Sequence, residues 1–254
     1  MKIKKLLALA LAGTMVFSMA ACGDKKESDK EGAGSGKVTA ESVIDKFDDF
    51  TKNMEKNYSS ETYMKMKMTA SGMEMDMEMT GLSTSYDGVT YTKSTTSMLG
   101  MEDVSEEYII TKEDGSVVEA YKSADDDEWE IDTYDAEDVE DTESTLDVEE
   151  IKKTAKLEED GDNYIVTMEV DAEDMDISDE EMFEGAEDMK VKVIVTYNSK
   201  EEAITEIEIE FDLDVLTEAL SALGEVEISE LEMKITNIKK NDKAIEIPEE
   251  IELD

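Results

Sequence analysis

The sequence predicts an α+β protein made mainly of antiparallel strands, with about ten strands in one strongly curved sheet. Apolar and charged residues alternate repeatedly with a period of two, as in strands that bury one face. The alternating segments follow one another closely, with tight-turn sequences such as Asp87-Gly88 between them, which is typical of antiparallel neighbours. Helical spacing of apolar residues occurs in only a few places, so we expect one leading helix and one or two inserted helices.

The N-terminus has the parts of a secretory signal peptide. A lysine-rich start precedes an apolar run from Leu6 to about Phe17, which is too short to be interpreted first as a membrane-spanning helix. Small residues follow, and Cys22, the only cysteine, stands directly after Ala20-Ala21. This pattern resembles the lipobox of bacterial lipoproteins, which implies a signal peptide over 1–21 and a lipidated Cys22. The alternative is an ordinary signal peptide with an incidental cysteine.

The mature chain would carry an extreme negative charge. Loss of three lysines with the signal peptide leaves 22 lysines against 69 acidic residues, a net charge of −47, without arginine or histidine. This charge excludes nucleic acid as a natural partner and repels an anionic lipid surface. Membrane attachment would therefore come from the lipid anchor. Among metal ions, we expect no more than weak, nonspecific binding of divalent cations.

The mature chain begins with a flexible segment and one helix. Residues 22–38 lack an apolar period and contain several glycines, so we expect a tether, followed by a single domain over 39–254. Thr39 is a candidate N-cap, and apolar residues at spacings of three and four predict a helix over about 40–57.

Residues 62–80 predict a hairpin with a methionine face and a charged face. A loop over 69–72 would place Met68 opposite Met73 and Lys67 opposite Glu74, so both faces agree on one register. The methionines of this face are Met64, Met66, Met68, Met73, Met75, Met77 and Met79.

The middle of the chain continues the strand pattern. We expect strands over 89–98, 106–111 and 117–122, and a short strand that begins at Trp129. Trp129 is expected to pack against the sheet. Residues 135–147 are almost continuous acid with serine and threonine, which predicts an acidic connection, and a short helix is expected over 147–157.

The last third repeats this pattern. Strands are expected over 164–170, 189–197 and 207–211, with a very short helix near 178–181 in an acidic excursion. A helix that ends at Gly224 and a strand with a bulge near Ser229-Glu230 follow. Pro248 lies in a closing segment, 245–251, that suits an edge position. The inward residues of these strands are Val191, Val193, Val195, Ile207, Ile209 and Phe211.

The order of these elements is similar to that of uncharacterised Gram-positive lipoproteins placed near the LolA and LppX half-barrels. The likeness comes from the lipobox, the tether, the helix ending in Asn57-Tyr58, the Met-x-Met-x-Met strands, the Tyr86-Asp87-Gly88 turn and the closing segment 245–251. It implies a half-barrel wrapped around helices, at the outer face of the cytoplasmic membrane. It also implies an apolar cavity that in relatives takes acyl chains or lipoproteins, and no catalytic residues.

The leading hypothesis for function is that the domain binds or carries a lipid or another amphiphile. The candidate cavity lining is the set of hairpin methionines and inward strand residues given above, because flexible thioethers adapt to different apolar guests. The same residues would equally suit a filled core. Thioethers also bind Cu(I), but the strand period alone accounts for their spacing, and histidine or further cysteine neighbours are absent.

The competing hypothesis is a non-enzymatic interaction or scaffold module with an acidic surface. The acidic clusters lack the spacing of a calcium-binding loop, so we expect no dedicated metal site and no cofactor. Without histidine or a free thiol, the common catalytic triads and dyads are excluded, so we expect that the protein is not an enzyme. We also expect a monomer.

Overall fold

The computed structural model describes residues 38–70, 72–126, 128–135, 148–171, 189–221 and 226–251. Its helices are α1 (Ala40–Thr51), α2 (Met54–Asn57), α3 (Val148–Thr154) and α4 (Leu213–Ser221). Its strands are β1 (Tyr58–Ala70), β2 (Met73–Tyr86), β3 (Val89–Met98), β4 (Met101–Thr111), β5 (Val117–Ser123), β6 (Glu130–Tyr134), β7 (Lys156–Asp160), β8 (Asn163–Asp171), β9 (Lys190–Asn198), β10 (Ala203–Glu210) and β11 (Val226–Lys240). The signal peptide, Cys22, nearly all of the tether and of the acidic connection, the short helix near 178–181 and Gly224 lie outside the described residues.

All of these strands form one antiparallel sheet. Its order is β6-β5-β4-β3-β2-β1-β11-β10-β9-β8-β7. One meander runs from β1 in the middle of the sheet to the β6 edge, the other runs from the β7 edge back to β11, and β1 pairs with β11. Among the described strands, β6 and β7 are the edges and do not pair with each other. This open, curved sheet with helices confirms the predicted half-barrel class. The prediction of about ten strands missed β7, because Leu157 is the only apolar residue in that acidic strand.

Helix α1 begins as predicted but ends earlier. Thr39 caps it, since the Thr39 hydroxyl accepts from the backbone N–H of Ser42 and the Ser42 hydroxyl accepts from that of Thr39. The predicted helix over 40–57 is interrupted after Thr51, whose side chain bonds to the Asp48 carbonyl, and α2 adds a separate turn. The buried side of α1 consists of Val43, Ile44, Phe47 and Phe50 together with Thr51.

The methionine hairpin forms, but its predicted register is wrong by two residues. The strands end at Ala70 and Met73, so Met68 lies opposite Met75 and Lys67 opposite Asp76. Gly72 has a φ of +78°, a left-handed conformation that suits glycine in a short hairpin connection. A shift of two residues keeps every side chain on its predicted face. The methionine-against-methionine and lysine-against-acid pairs therefore survive with different partners.

The predicted bulge in β11 is confirmed at Ser229. Lys67 pairs with Glu230 and Met68 with Ile228, so Ser229 is the additional residue that restores the apolar phase. A second irregularity, which was not predicted, lies at Asn237, where φ is +53° and the side-chain amide donates to Glu61.

Several predicted boundaries need correction. Strand β4 begins at Met101 rather than Glu106, and β6 begins at Glu130, after Trp129. Phe211 lies just beyond the end of β10. The closing segment does not form an edge strand; instead, Tyr108 donates its hydroxyl to the Glu246 carbonyl, and Ile251 packs on the sheet.

The buried core is split between the two faces of the sheet. We call the face that carries Met64, Met66 and Met68 the inner face and the opposite face the outer face. Helices α1, α3 and α4 pack against strands of the β8–β11 half, and their buried residues join the inner methionines in one large cluster. A smaller cluster on the outer face of β3–β5 is covered by Ile245, Ile247 and Ile251.

Candidate functional site

A row of four methionines crosses the inner face from its surface to its core. Direct strand pairing places Met101 beside Met98, Met98 beside Met77, and Met77 beside Met66. Met101 is 66% exposed, Met98 is half-buried, and Met77 and Met66 retain only 4% and 2% of their surface. Leu231 on β11 continues the row beyond Met66. We call Met101, Met98, Met77 and Met66 the methionine row.

A second row, next to the first, is apolar and buried over six strands. Met79, Met64 and Met233 occupy β2, β1 and β11, and the row continues through β10, β9 and β8. Its members beyond Met233 are Ile209, Val193 and Met168. Thioethers thus lie side by side on the three central strands, branched aliphatic side chains follow on β10 and β9, and the row ends with a thioether on β8.

Most of the predicted lining residues are buried in the inner cluster. A side chain that lines an open cavity keeps surface that solvent can reach, whereas Val191, Val195 and Ile207 keep none. These residues therefore belong to a filled layer in this structure. The other fully buried residues of the predicted set are Met64, Met66, Met68, Met77, Met79, Val193 and Ile209.

Three members of the predicted set are more exposed. Met75 and Phe211 are half-buried at the margin of the cluster. Met73 shares the inner phase of β2 but is 66% exposed, because it lies at the end of the hairpin, beyond the packed layer. Met73 therefore lies outside the packed layer, and its role as a cavity-lining residue stays a prediction.

The sequence prediction missed Met98 and Met101. Apart from Ile109, their strands carry serine, threonine and acid at the other inner positions, so no methionine alternation marks them. The sequence Met98-Leu99-Gly100-Met101 is the only signal, because two methionines flanking a two-residue turn must pair directly.

The inner face becomes polar along β3–β5. The Ser94 and Ser105 hydroxyls lie 2.7 Å apart in a buried hydrogen bond. Beyond them, the buried Glu107 hydrogen-bonds to Glu119 of β5. Burial, followed by the charge of Glu119, raises the pKa of Glu107 from its ordinary value of 4.5 to about 7.

Glu107 is expected to make the stability of the fold depend on pH. The unfolded chain releases this proton near pH 4.5 and the folded chain near 7, so the contribution of Glu107 becomes less favourable as pH rises between these values. Above pH 7, this difference between the two pKa values lowers the free energy of unfolding by about 3 kcal/mol. Glu107→Gln should therefore stabilise the protein at pH 8 far more than at pH 4.5, as measured by urea unfolding at both pH values.

The control for this prediction is Glu106→Gln. Glu106 is the next residue along β4, on the outer face, where Lys93 approaches its carboxylate to 2.8 Å. Its replacement should not stabilise the fold at pH 8. An equal effect of Glu107→Gln at the two pH values would contradict the buried, protonated carboxyl.

Where β1 meets β11, the outer face carries ion pairs. Lys65 lies 2.7 Å from Glu230, and Lys67 approaches the other oxygen of the same carboxylate. Hydrogen bonds from Lys65 and Lys67 lower the pKa of Glu230. The predicted opposition of lysines and acids is thus present, but these ion pairs join β1 to β11 instead of β2.

The smaller cluster on the outer face contains the only tryptophan. Trp129 meets Tyr108 edge-to-face with ring centroids 5.4 Å apart, and Lys122 lies over the indole ring at 5.8 Å. Tyr108 also contacts Tyr91. The prediction that Trp129 packs against the sheet is confirmed.

Among the residues that the structure describes, no three acids, histidines or cysteines come together in a way that could hold a metal ion. Within the same residues, no helix has the length and apolar character needed to span a membrane.

These features define a class: an open antiparallel half-barrel with helices against part of its inner face. Two solved structures are similar to this chain. LprF from Mycobacterium bovis covers 83% of this chain and 96% of its own, with a TM-score of 0.43 and 10% identity. A DUF1329 family protein from Desulfovibrio piger covers 81% and 93%, with a TM-score of 0.30 and 8% identity. No family model and no curated protein matches the sequence.

Proposed function

We propose that this chain is a non-enzymatic, lipid-anchored extracytoplasmic protein that takes up the acyl chain of a lipid or another amphiphile on its inner face. The observation that carries this proposal is the methionine row, which leads without a polar interruption from the exposed Met101 to the buried Met66. A packed core does not require such a row to reach the surface.

Methionine suits this role because its side chain is unbranched and has three rotatable bonds. The layer is filled in this structure, so an acyl chain would enter by displacing flexible thioethers rather than by occupying empty space. Burial of the chain would supply about 25 cal/mol per Å² of apolar surface. The branched side chains of β9 and β10, such as Val193, would stay in place as the more rigid part of the layer.

The location of the protein follows from the N-terminal sequence. The signal peptide and Cys22 support export and attachment to the outer face of the cytoplasmic membrane of a Gram-positive bacterium. A net charge of −47 would keep the domain from adhering to anionic lipid. The anchor would therefore provide the attachment to the membrane, and the inner face would take up the acyl chain.

Fatty-acid uptake tests this proposal. The mature chain with Cys22→Ser, purified without detergent, is titrated with the fluorescent cis-parinaric acid, and bound probe is displaced with palmitic acid. Native mass spectrometry gives the stoichiometry. We expect saturable uptake of one chain per protein, weakened about tenfold or more by Met98→Glu, because this change places a charge in the middle of the methionine row.

The matched control is Leu82→Glu, on the outer face of the neighbouring strand, where the side chain is 44% exposed. It should bind the probe as the parent does. A parent that remains empty and ignores the probe contradicts the proposal, as does equal loss of uptake in the two variants. Circular dichroism of both variants identifies any loss that is due to misfolding.

A further inference from the structure

The hairpin turns at the two ends of the sheet differ in chemistry. At the end where β1 begins, the turns are polar, as in Asp87-Gly88, 113–115, 160–162 and 198–201. At the opposite end, the β1–β2 hairpin connects Ala70 to Met73, and the β3–β4 hairpin turns at Leu99-Gly100. The third described turn at that end, between β5 and β6, is acidic. At the described hairpin turns, exposed large apolar side chains are thus restricted to two neighbouring hairpins.

These two hairpins carry the three most exposed large apolar side chains among the described residues. Met73 and Met101 are each 66% exposed, and Leu99 is 61% exposed. The pairing of Met77 with Met98 places the hairpins side by side, so the three side chains lie at one end of adjacent strands. We call Met73, Leu99 and Met101 the apolar tips.

Leu99 is an unfavourable residue for its turn. Leu99 and Gly100 have φ values of +53° and +77°, nearly the same as the +50° and +81° of Asp87 and Gly88 at the opposite end. Aspartate and asparagine accept this left-handed conformation more readily than leucine, because their side chains can bond to the nearby backbone. Leucine gains no burial in return, which indicates that its side chain acts outside the fold.

We infer that the apolar tips dock on a lipid bilayer with neutral head groups. This inference rests on the proposed anchoring through Cys22. Val38 follows Cys22 by 16 positions, which is up to about 55 Å of extended chain, so the tether lets either end of the sheet reach the bilayer. The chemistry of the turns then selects the end, since the three most exposed large apolar side chains of the described residues lie here.

The charge of the protein selects the kind of lipid. Glu74 and Glu102 flank the apolar tips and are exposed, and the whole mature chain carries −47. An anionic surface would repel this end, whereas a zwitterionic surface would accept the apolar side chains. Docking in this way brings Met101, the exposed end of the methionine row, to the lipid from which an acyl chain would enter.

Site-specific fluorescence on the lipidated full chain tests the inference. Lipidation blocks Cys22, the only natural cysteine, so Leu99→Cys and Asp87→Cys each offer one thiol for an NBD dye. The two positions occupy matching turns at opposite ends of the sheet. In phosphatidylcholine vesicles, we expect the dye at position 99 to be quenched by brominated acyl chains and several-fold less by aqueous acrylamide than the dye at position 87.

Equal acrylamide quenching at the two positions, without quenching by brominated lipid, overturns the inference. A dimer in sedimentation velocity without vesicles that dissociates on Leu99→Asn also overturns it, in favour of self-association. Fatty-acid uptake by the soluble Cys22→Ser chain is measured separately. Retained uptake with failed docking refutes only the docking of the apolar tips, whereas failed uptake with retained docking refutes only the proposed carrier role.

Discussion

Replacement of Cys22 by serine is expected to abolish the attachment of fatty acid to this protein and its retention in the membrane fraction. Stable anchoring requires about two acyl chains, each worth about 0.8 kcal/mol per buried methylene, and a diacylglyceryl cysteine supplies them. At a net charge of −47, an anionic lipid surface would repel the rest of the mature chain. The apolar tips, with three side chains, would orient the domain but not hold it.

Metabolic labelling with an alkyne analogue of palmitate measures this effect directly. The parent should be labelled and should partition into the detergent phase of Triton X-114, while Cys22→Ser should carry no label. Met19→Leu is the matched control. Met19 stands at the head of the segment that resembles a lipobox, where leucine is more typical, so this variant should keep the label. An unlabelled parent with a free thiol would instead indicate an ordinary signal peptide with an incidental cysteine.

The alternation of residues was sufficient to predict which side chains share a face, but not how the strands align. In the methionine hairpin, registers that differ by two residues place the same residue types opposite one another. Period and charge pairing therefore cannot separate them. The turn between the strands sets the register. Because the chain turns tightly at Gly72, β1 continues to Ala70 and β2 begins at Met73.

A strand pattern also does not say on which side of the sheet its apolar residues will be buried. Tyr108 and Ile110 share one phase of β4 as the methionines share one phase of their strands, yet they lie on the outer face. Only the full set of pairings, from Met101 through Ser105 to Glu107, reveals that the inner face turns polar there. The closing segment then covers the outer cluster, a contact between distant parts of the chain that no local spacing encodes.

The same limit explains why the candidate site was predicted only in part. Met64, Met66, Met77 and Met79 were found because each lies in an unbroken alternation. Met98 and Met101 belong to the methionine row through pairing alone, and serine and threonine surround them in sequence. The buried carboxyl of Glu107 was missed for a related reason: among 69 acidic residues, composition cannot single out the one that faces inward.

Truncation of Met79 to alanine should strongly destabilise the fold. Met79 is 1% exposed and lies directly beside Met64. Removal of a side chain from a filled core leaves a void, so we expect Met79→Ala to lower the free energy of unfolding by about 2–5 kcal/mol. Met79→Leu conserves the volume and should cost less than about 1.5 kcal/mol. Urea unfolding at constant pH measures both.

Met73→Ala is the control, because Met73 shares the strand and the inner phase of Met79 but is 66% exposed; we expect a change within about 0.5 kcal/mol. If Met79→Ala were as mild as this control, Met79 would border space that the fold does not fill. The leucine variant also tests whether the methionines bind Cu(I). Leucine packs like methionine but has no thioether, so a loss of Cu(I) binding with unchanged stability would indicate a metal role. If Met79→Leu keeps both the free energy of unfolding and the fatty-acid uptake of the parent, the methionines act through their shape and flexibility.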